Sequence, residues 1–457
     1  MENMTMDHVT SEYVRRCRAD QRLRSVMATS LLPPSFQRAW KGRHLPRPIF
    51  ADRQSMETLG TEIKILFDIV VSLPDRLFDG DLGKFCAAIG IDEPRAVLIS
   101  RLRDAEPPRA GRADLYRDGA DFKLLEFNVN TGFSGGADIV ELCRALMAAE
   151  PFAEFATEFG LEYTDIMAIR AGQFRDAAAR VSGGREPVIA LIEADGALEG
   201  YGDGFRSMQS SVAGYGIELA LGELGQLESK NGRVHLDGKP LDLVLRYYNL
   251  NQIIDDAQGQ KAHEMICRAH ERGQVVMHTP LQSDLFDDKA ILALLSDSEY
   301  RQSFSEAEKQ LIDRMLPWTR LVRDGWTRFN GERVDFMTFS VENQQNLILK
   351  PGAGLSGMGI VAGWETERDA WEKLLRRSAG GPYLLQQRVN PTPEPFVDPD
   401  SGLLEHVVSA WGVFFSEKGY NGGHVRTAPS GGDAVINFAG NPKSSITGLF
   451  TFDGRSR

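Results

Sequence analysis

Apolar runs typical of buried strands alternate along this chain with segments of helical spacing, and this alternation restricts its possible folds most strongly. Residues 187–193 read PVIALIE, a run suited to a strand covered on both faces. A helical segment at 208–215 and a second apolar run at 217–221 follow it. Their order predicts a β-α-β unit, and we expect an α/β (α+β) chain with mixed sheets. The length of 457 residues predicts several lobes, because one domain usually takes roughly 100–200 residues.

The first hundred residues are predicted to be mainly helical. Their clearest helix has apolar residues at steps of three or four, namely Met56, Leu59, Ile63, Leu66, Val70 and Leu73. We expect it to end before Pro74, since proline lacks the amide hydrogen that a continuing helix needs. The arginine-rich stretch 11–28 is interpreted as a solvated helix face, with a phosphate or partner patch as the less favoured alternative.

The balance of charge disfavours nucleic acid as a partner. Lys and Arg number 52 against 64 Asp and Glu, a net charge of −12, whereas a phosphate-backbone binder needs a positive surface. The four cysteines are widely separated, which is typical of a reduced cytoplasmic protein rather than of a disulfide scaffold. Residues 1–10 lack the apolar core of a signal peptide, and no apolar stretch has the length of a membrane span. We therefore expect a cytoplasmic protein without a membrane partner.

Residues 111–136 predict a hairpin with oxygen-bearing side chains on one strand. Because side chains alternate along a strand, Glu126 and Asn128 share a face. Carboxylate and amide oxygens suit a hard cation such as Mg²⁺. An exposed polar face of an amphipathic hairpin is the alternative. The glycine-containing segment 131–136 favours the cation site, because glycines let a ligand approach the backbone closely.

The turn of this hairpin decides which side chains meet. With a three-residue loop at 118–120, Arg112 would lie opposite Glu126, and Asp114 would lie on the same face. A two-residue turn at 118–119 would shift the register by one and scatter these polar residues over both faces.

Residues 346–362, NLILKPGAGLSGMGIVA, join a strand to a glycine-rich loop through Lys350. Exposed N–H groups in such a loop form a concavity for anions, and the lysine adds a point charge for the same phosphates. The loop is not a Walker A motif, because GxxxxGK[ST] is absent from it. A flexible hairpin is the open alternative.

Further polar residues follow the loop on predicted strands. The strand 383–388 carries two amides that could form a hinge reading an adenine edge, namely Gln386 and Gln387. A predicted hairpin then delivers Arg426, and a later apolar segment carries Asn437.

In this order the motifs resemble the ATP-grasp superfamily in its circularly permuted form, specifically the carboxylate–amine ligases like glutathionylspermidine synthetase. The family's R-x-D followed by E-x-N matches residues 112–114 and 126–128. Its Asn-Lys-Ala-Ile-Leu helix start is similar to DKAIL at 288–292. The lysine with its glycine loop, the Gln-Gln strand, and a Trp-Gly-Val strand at Trp411 with a later Arg and Asn complete the match, over roughly residues 100–450.

The resemblance implies an ATP-dependent ligase that uses Mg²⁺ and joins a carboxylate to an amine through an acyl phosphate, releasing ADP and phosphate. The partners it implies are small amino-acid-like or peptide-like carboxylates and amines. The site residues it implies are the charge-stabilising Arg112 and Arg426, the metal ligands Asp114, Glu126 and Asn128, the nucleotide-binding Lys289, Lys350, Gly354, Ser356, Gly357, Gly359, Gln386 and Gln387, and the substrate contacts Ser134 and Asn437.

The resemblance also implies four regions along the chain. Residues 1–100 would form a mainly helical N-terminal region, and residues 101–184 the first part of the ATP-grasp core with the metal-binding hairpin. Residues 185–280 would form a β-α-β-like substrate lobe, and residues 281–457 the lid and nucleotide-binding part.

One departure from the family lies in the glycine loop, where Leu355 and Ser356 stand in place of an Arg-Glu pair. The family's acid substrate therefore does not carry over to this chain. Two alternative functions stay open: a phosphotransferase that stops after phosphoryl transfer, and a nucleotide-binding protein whose chemistry has decayed.

Overall fold

The structure is a computed structural model that describes residues 6–32, 34–102, 108–129, 136–354, 358–431, 436 and 441–454, apart from the side chains at positions 35, 38, 39 and 201. The helices in chain order are α1 (His8–Ala19), α2 (Gln21–Arg24), α3 (Val26–Thr29), α4 (Pro34–Trp40), α5 (Arg53–Phe78), α6 (Leu82–Ala88), α7 (Glu93–Ile99), α8 (Gly136–Ala148), α9 (Glu150–Phe159), α10 (Ile166–Ser182), α11 (Ala197–Ala213), α12 (Leu250–Ile253), α13 (Ala257–Glu271), α14 (Ser283–Asp287), α15 (Ile291–Ser296), α16 (Glu306–Met315), α17 (Phe336–Glu342) and α18 (Arg368–Ser378).

The strands in chain order are β1 (Ile49–Asp52), β2 (Gly111–Asp118), β3 (Asp121–Asn128), β4 (Ile189–Glu193), β5 (Leu219–Glu223), β6 (Leu227–Lys230), β7 (Arg233–Leu236), β8 (Lys239–Pro240), β9 (Leu243–Arg246), β10 (Val276–His278), β11 (Thr319–Leu321), β12 (Trp326–Phe329), β13 (Glu332–Asp335), β14 (Leu347–Pro351), β15 (Val361–Ala362), β16 (Tyr383–Gln387), β17 (Glu394–Val397), β18 (Leu404–Ser416), β19 (Gly419–Pro429) and β20 (Ser445–Phe452). Helices and mixed sheets confirm the predicted α/β class at this level.

The largest sheet combines strands from both ends of the chain. Its order is β1-β20-β19-β18-β2-β3, with β17 paired to β18, and we call it the main sheet. β1 runs parallel to β20, and the other pairs are antiparallel. The main sheet therefore depends on pairing between segments separated by about 300 residues, such as β2 with β18.

Helix α5 packs against one face of the main sheet. Phe67 of this helix makes edge contacts with Phe127 of β3 and Phe415 of β18, with ring centroids 5.2 and 5.1 Å apart. The predicted end of this helix before Pro74 is wrong, because the helix continues to Phe78. Pro74 lies in the apolar core and close to the helix end, where packing offsets the lost hydrogen bond.

A second sheet is entirely parallel and confirms the predicted β-α-β unit. Its order is β10-β9-β4-β5, and α11 connects β4 to β5. Alternate residues of β4 enter different apolar clusters: Leu191 belongs to the cluster that includes Phe174 of α10, whereas Ile192 belongs to the cluster that includes Ile266 of α13. Helices therefore cover both faces, which explains why the β4 sequence is apolar throughout.

A third sheet has the order β11-β16-β14-β15, and we call it the Lys350 sheet. One face packs on α17 and α18 through Leu349 and Trp371, both fully buried. The predicted boundary groups residues 281–457 together, but their strands divide between this sheet and the main sheet. The four predicted regions stay a prediction at the level of domains.

The arginine-rich stretch near the N-terminus lies beside acidic side chains of later segments. Arginines of the stretch 11–28 pair with acids of the chain, for example Arg16 with Glu158 at 2.6 Å and Arg22 with Glu150 at 2.9 Å. This agrees with a solvated helix face rather than a free cationic patch.

None of the described helices combines the length and apolar character needed to cross a bilayer.

Gly60 sets the approach of α5 to the main sheet, and substitution there tests this packing. A Cβ at Gly60 would lie 2.4 Å from the amide nitrogen of Tyr420 in β19. We expect Gly60→Ala to lower the free energy of unfolding by about 1–3 kcal/mol. Gly172→Ala in α10, where no atom lies within 4 Å of the new Cβ, should leave it unchanged or raise it by up to about 1 kcal/mol. Chemical denaturation measures both; equal effects would contradict the close approach.

Candidate functional site

A β-bulge in the β2–β3 hairpin brings its polar residues to one face. Asp118 pairs with Asp121, so the turn has two residues, and without a bulge Asp114 would lie opposite Leu125. The register shifts beyond Leu115, and Asp114 lies opposite Glu126 instead. The turn therefore comprises Gly119 and Ala120, which is neither of the two turns considered from the sequence, and the bulge supplies the extra residue that keeps the polar side chains on one face.

The same shift pairs Arg112 with Asn128, rather than with Glu126 as the three-residue loop predicted. Directly opposite residues project from the same side of a sheet, so these four polar residues share a face. We call this face of the main sheet, which also carries Arg426 of β19, the site face; α5 lies on the other face.

The carboxylate of Asp114 is buried between two guanidiniums. Arg112 donates from Nε to Oδ1 at 2.7 Å and from Nη2 to Oδ2 at 3.2 Å, and Arg426 donates from Nη2 to Oδ2 at 2.6 Å. Burial alone would raise the pKa of Asp114, but the charges of the two arginines outweigh it and hold that pKa well below its usual value. Asp114 is therefore ionised throughout the physiological pH range.

Glu126 is paired with a lysine from a distant segment. The Nζ atom of Lys289, which lies between α14 and α15, is 2.9 Å from Oε2 of Glu126. The same Nζ donates to the carbonyl of Gly354 at 3.3 Å, and the backbone N–H of Lys289 donates to the carbonyl of Gly352 at 2.9 Å. Burial opposes the charge of Lys289, but Glu126 raises its pKa above the ordinary lysine value. Lys289 thus joins the hairpin to the start of the glycine loop.

Lys350 extends from β14 on the face of its sheet opposite α17 and α18. Its Nζ donates to Oε1 of Gln386 at 2.6 Å, and Gln386 donates to Oγ1 of Thr319 at 3.2 Å. Burial lowers the pKa of Lys350 to about 8, Lys289 adds to this shift and Glu126 opposes it. These interactions place the Lys350 ammonium within electrostatic reach of the hairpin carboxylates.

The side chains of Gln386 and Gln387 project from opposite faces of β16. Gln386 is buried beside Lys350, whereas Gln387 is exposed and projects from the opposite side of β16, as neighbouring strand residues do. Only the backbone of Gln387 is fixed, through its N–H to the carbonyl of Trp318 at 2.8 Å. The geometry separates the two residues that the sequence pattern grouped.

The donor atoms of the site face fit a hard divalent cation only in part. Glu126 and Asn128 are half-buried side chains with oxygen atoms, and the Asn128 amide nitrogen is buried with no hydrogen-bond partner in the part of the chain that the structure describes. Both Asp114 oxygens accept hydrogen bonds from guanidiniums, one at Oδ1 and two at Oδ2, which leaves a free lone pair for a cation at Oδ1 only. No three His, Cys, Asp or Glu side chains among the described residues form a metal-ligand group. Such an ion would therefore take further oxygens from water or phosphate, as Mg²⁺ does.

Sequence reasoning missed His424, which is buried on the site face. Gly412 lies opposite both Asp114 and His424, and a Cβ there would be 2.8 Å from Nε2 of His424 and 2.9 Å from Cδ of Arg112. The absence of a side chain at Gly412 therefore makes room for both. Burial and the charges of Arg112 and Arg426 lower the pKa of His424 well below its usual value, so the ring is neutral. The sequence signal for this packing is Gly412, because a glycine within a strand often marks the close approach of another group.

Several predicted residues lie elsewhere. Trp411 projects to the α5 side and contacts Phe122, with ring centroids 5.3 Å apart. Gly359 has φ +76°, a left-handed conformation suited to glycine at the end of the glycine loop. The predicted site residues outside the described residues are Ser134, Ser356, Gly357 and Asn437, together with the loop residue Leu355.

The fold is similar to that of one solved protein along nearly its full length. That protein is a glutathione synthetase-like effector from Globodera pallida in its apo form, with a TM-score of 0.56, 13% sequence identity and 99% of each chain covered. A putative gamma-glutamylcysteine synthetase from Methylobacillus flagellatus gives a TM-score of 0.43 at 13% identity, covering 88% of this chain and 89% of that one, which is too weak a likeness to identify a fold. No protein-family model and no curated protein matches the chain. At this level of identity the comparison establishes the overall fold alone.

Asp114→Asn tests the buried ion triad on the site face. The substitution keeps the shape of the side chain but leaves Arg112 and Arg426 without their carboxylate. We expect the free energy of unfolding to fall by about 3 kcal/mol, because an unpaired buried charge is costly. The exposed pair of Arg301 with Asp313 provides the control, and Asp313→Asn should cost less than about 1 kcal/mol. Equal losses in urea denaturation would show that the triad is not buried as described.

Proposed function

We propose that this protein is an ATP-dependent carboxylate–amine ligase of the ATP-grasp type, which forms an amide bond through an acyl phosphate. The observation that supports this most is the ion pair of Lys289 with Glu126 on the sheet face that carries Asp114 and Asn128, together with the bond from the Lys289 N–H to the carbonyl of Gly352, two residues after Lys350. Lysines that meet carboxylates at a glycine loop suit a metal-bridged triphosphate, whose charge both sets of residues would share. The motif resemblance and the overall fold likeness support the same proposal.

The two lysines would bind the phosphates from opposite sides. Lys289 is held at the start of the glycine loop by the carbonyl of Gly354, and Lys350 is held by Gln386. Both ammonium groups are buried, so each presents a fixed charge with little rearrangement. Backbone N–H groups of the glycine loop would add further donors to the phosphate oxygens.

Glu126 and Asn128 would hold Mg²⁺, and Asp114 would join them through the Oδ1 lone pair that the guanidiniums leave free. The ion, when bound, would neutralise phosphate charge during transfer. Glu126 would exchange its ion pair with Lys289 for the cation, which would leave Lys289 available to phosphate oxygens. Glu126 and Lys289 would therefore each have a partner of opposite charge both before and after the nucleotide binds.

Arg112 and Arg426 would stabilise negative charge on the transferring phosphoryl group and on the tetrahedral intermediate. Asp114 fixes both guanidiniums at the surface of the main sheet, and Arg426 remains partly exposed. Planar, preorganised donors of this kind lower the cost of developing oxyanions without reorganising at the moment of reaction.

The acid substrate would bind where the parallel sheet adjoins the site face. β4 and β9 are neighbouring strands: the chain passes from β4 to β5 on one side of this pair, and from β9 to β10 on the other side. Open α/β sheets bind ligands at the carboxyl ends of the strands at such a point. Arg170 of α10, a helix that covers this sheet, lies over the ring of Phe414 at 5.6 Å, and Phe414 lies opposite Arg112. Arg170 therefore lies between the parallel sheet and the strand position next to Arg112.

The proposed reaction is tested by turnover of Mg·ATP with a panel of amino acids, small peptides and amines. We expect ADP and phosphate together with a product whose mass equals acid plus amine minus water. AMP with pyrophosphate would contradict acyl phosphate chemistry. A stable phosphorylated acceptor without an amide would establish a phosphotransferase, and nucleotide binding without turnover over the panel would establish a binding protein instead.

Neighbouring glutamines give a matched pair of variants. Gln386→Ala removes the acceptor that positions the Lys350 ammonium, and we expect the KM for ATP to rise about tenfold, since a hydrogen bond to a charged group is worth about 1.5–3 kcal/mol. Gln387→Ala, whose side chain is exposed on the other face, should change it less than about twofold. Steady-state kinetics on both variants measures this difference. A larger effect at Gln387 would reverse the assignment of the two residues.

A further inference from the structure

A buried aspartate that the motif resemblance does not assign lies between the hairpin and the lysine segment. Asp287 is the last residue of α14, two positions before Lys289. Its Oδ1 accepts the backbone N–H of Val129 at 2.7 Å, and Val129 directly follows Asn128 at the end of β3. A side chain of the lysine segment therefore holds the end of the strand that carries Glu126 and Asn128.

A second interaction, the ion pair of Lys289 with Glu126, 2.9 Å long, also joins β3 to the Lys289 segment. A cation and phosphates would have to separate or loosen that ion pair, because Glu126 would turn to the cation and Lys289 to phosphate oxygens. The Asp287–Val129 hydrogen bond involves neither reacting partner, so it can persist while the ion pair is exchanged. It would then maintain the spacing of the two segments.

Asp287 occupies this position at an energetic cost. Burial raises the pKa of its carboxyl to about 7, Asp284 and Glu126 add to the shift, and the Val129 N–H and Lys289 oppose it. An acceptor is nevertheless required here, because the Val129 amide at the strand end would otherwise lose its partner.

We propose that Asp287 is a positioning residue that fixes the distance between the cation-holding end of β3 and Lys289, so that one Mg·ATP molecule can engage both. The inference rests on the proposed function, which it extends to a residue outside the recognised motifs. Its role is that of an acceptor to a backbone amide: an asparagine oxygen can replace it, and an alanine cannot. Outer residues of this kind typically contribute 10–100-fold to metal affinity or activity, by order of magnitude.

The test is binding of a non-hydrolysable ATP analogue to the full chain in the presence of Mn²⁺, followed by calorimetry. Asp287→Ala should weaken binding about tenfold or more, and Asp287→Asn should stay within about threefold of the parent. Hydrogen exchange at the Val129 amide should quicken in the alanine variant and remain slow in the asparagine variant. Rescue by asparagine distinguishes the acceptor role from a requirement for charge.

Asp138→Ala is the matched control. Asp138 is also a buried carboxyl with a pKa raised by burial, and it accepts from Trp40 Nε1 at 3.0 Å and Ser207 Oγ at 2.5 Å, which lie outside the site. Its loss should lower stability and leave the analogue affinity of the folded protein unchanged. Should Asp287→Ala fail to fold, Asp287→Ser serves in its place, because the serine hydroxyl is too short to reach Val129 and the same weakening is expected.

The outcomes separate the inference from the function on which it rests. A parent protein that does not bind the analogue would overturn both the proposed function and this inference. Parental binding with unchanged affinity in Asp287→Ala would overturn the inference alone. Equal weakening in Asp138→Ala, or no rescue by asparagine, would also overturn it.

Discussion

Two guanidiniums enclose the carboxylate of Asp114, and the arrangement of the site face depends on this ion triad. Arg112 comes from the same strand, while Arg426 lies 312 residues later in the chain. Burying three charged groups costs several kcal/mol per ion, and pairing offsets this only in part. Apolar residues of similar volume would hold the strands together at least as well. The charges are therefore better explained by chemistry at the sheet surface than by stability.

A second balance of charge couples the hairpin to the rest of the site. Glu126 pairs with Lys289, which also bonds the start of the glycine loop, and Lys350 lies within electrostatic reach of both. Asp114 and Glu126 thus each have a cation from a distant part of the chain. The long-range pairing of β2 with β18, and of β18 with β19, brings Arg426 to Asp114. The fold brings these side chains close together, and the local sequence determines which of them are carboxylates and which are cations.

Local patterns predicted the elements well, because they depend on neighbouring residues. The β-α-β unit follows from the apolar spacing of its strands and helix. The end of α5 did not follow, because the helix continues past Pro74 to Phe78 and ends at Asp79, whose φ of 53° is left-handed. Apolar periodicity therefore indicates that a segment is helical more reliably than it indicates the residue at which the helix ends.

The candidate site was predictable as a set of residue types but not as a geometry. The hairpin spacing indicated the shared face, yet the face arises from a bulge in β3, where Leu125 has no paired residue, and sequence spacing cannot show this. Alternation along β16 separates Gln386 from Gln387 once the strand register is known. His424 and Asp287 were missed because their roles depend on Gly412 and on Val129, partners that are remote in sequence.

Hydrogen–deuterium exchange of the full chain, with and without Mg·ATP, tests most directly whether the site face and the Lys350 sheet together bind nucleotide. We predict that exchange slows in β3, in β14 and in the segment around Lys289, and that omission of Mg²⁺ weakens the effect. Slower exchange confined to the carboxyl ends of the parallel sheet, or no change at saturating Mg·ATP, would contradict this assignment.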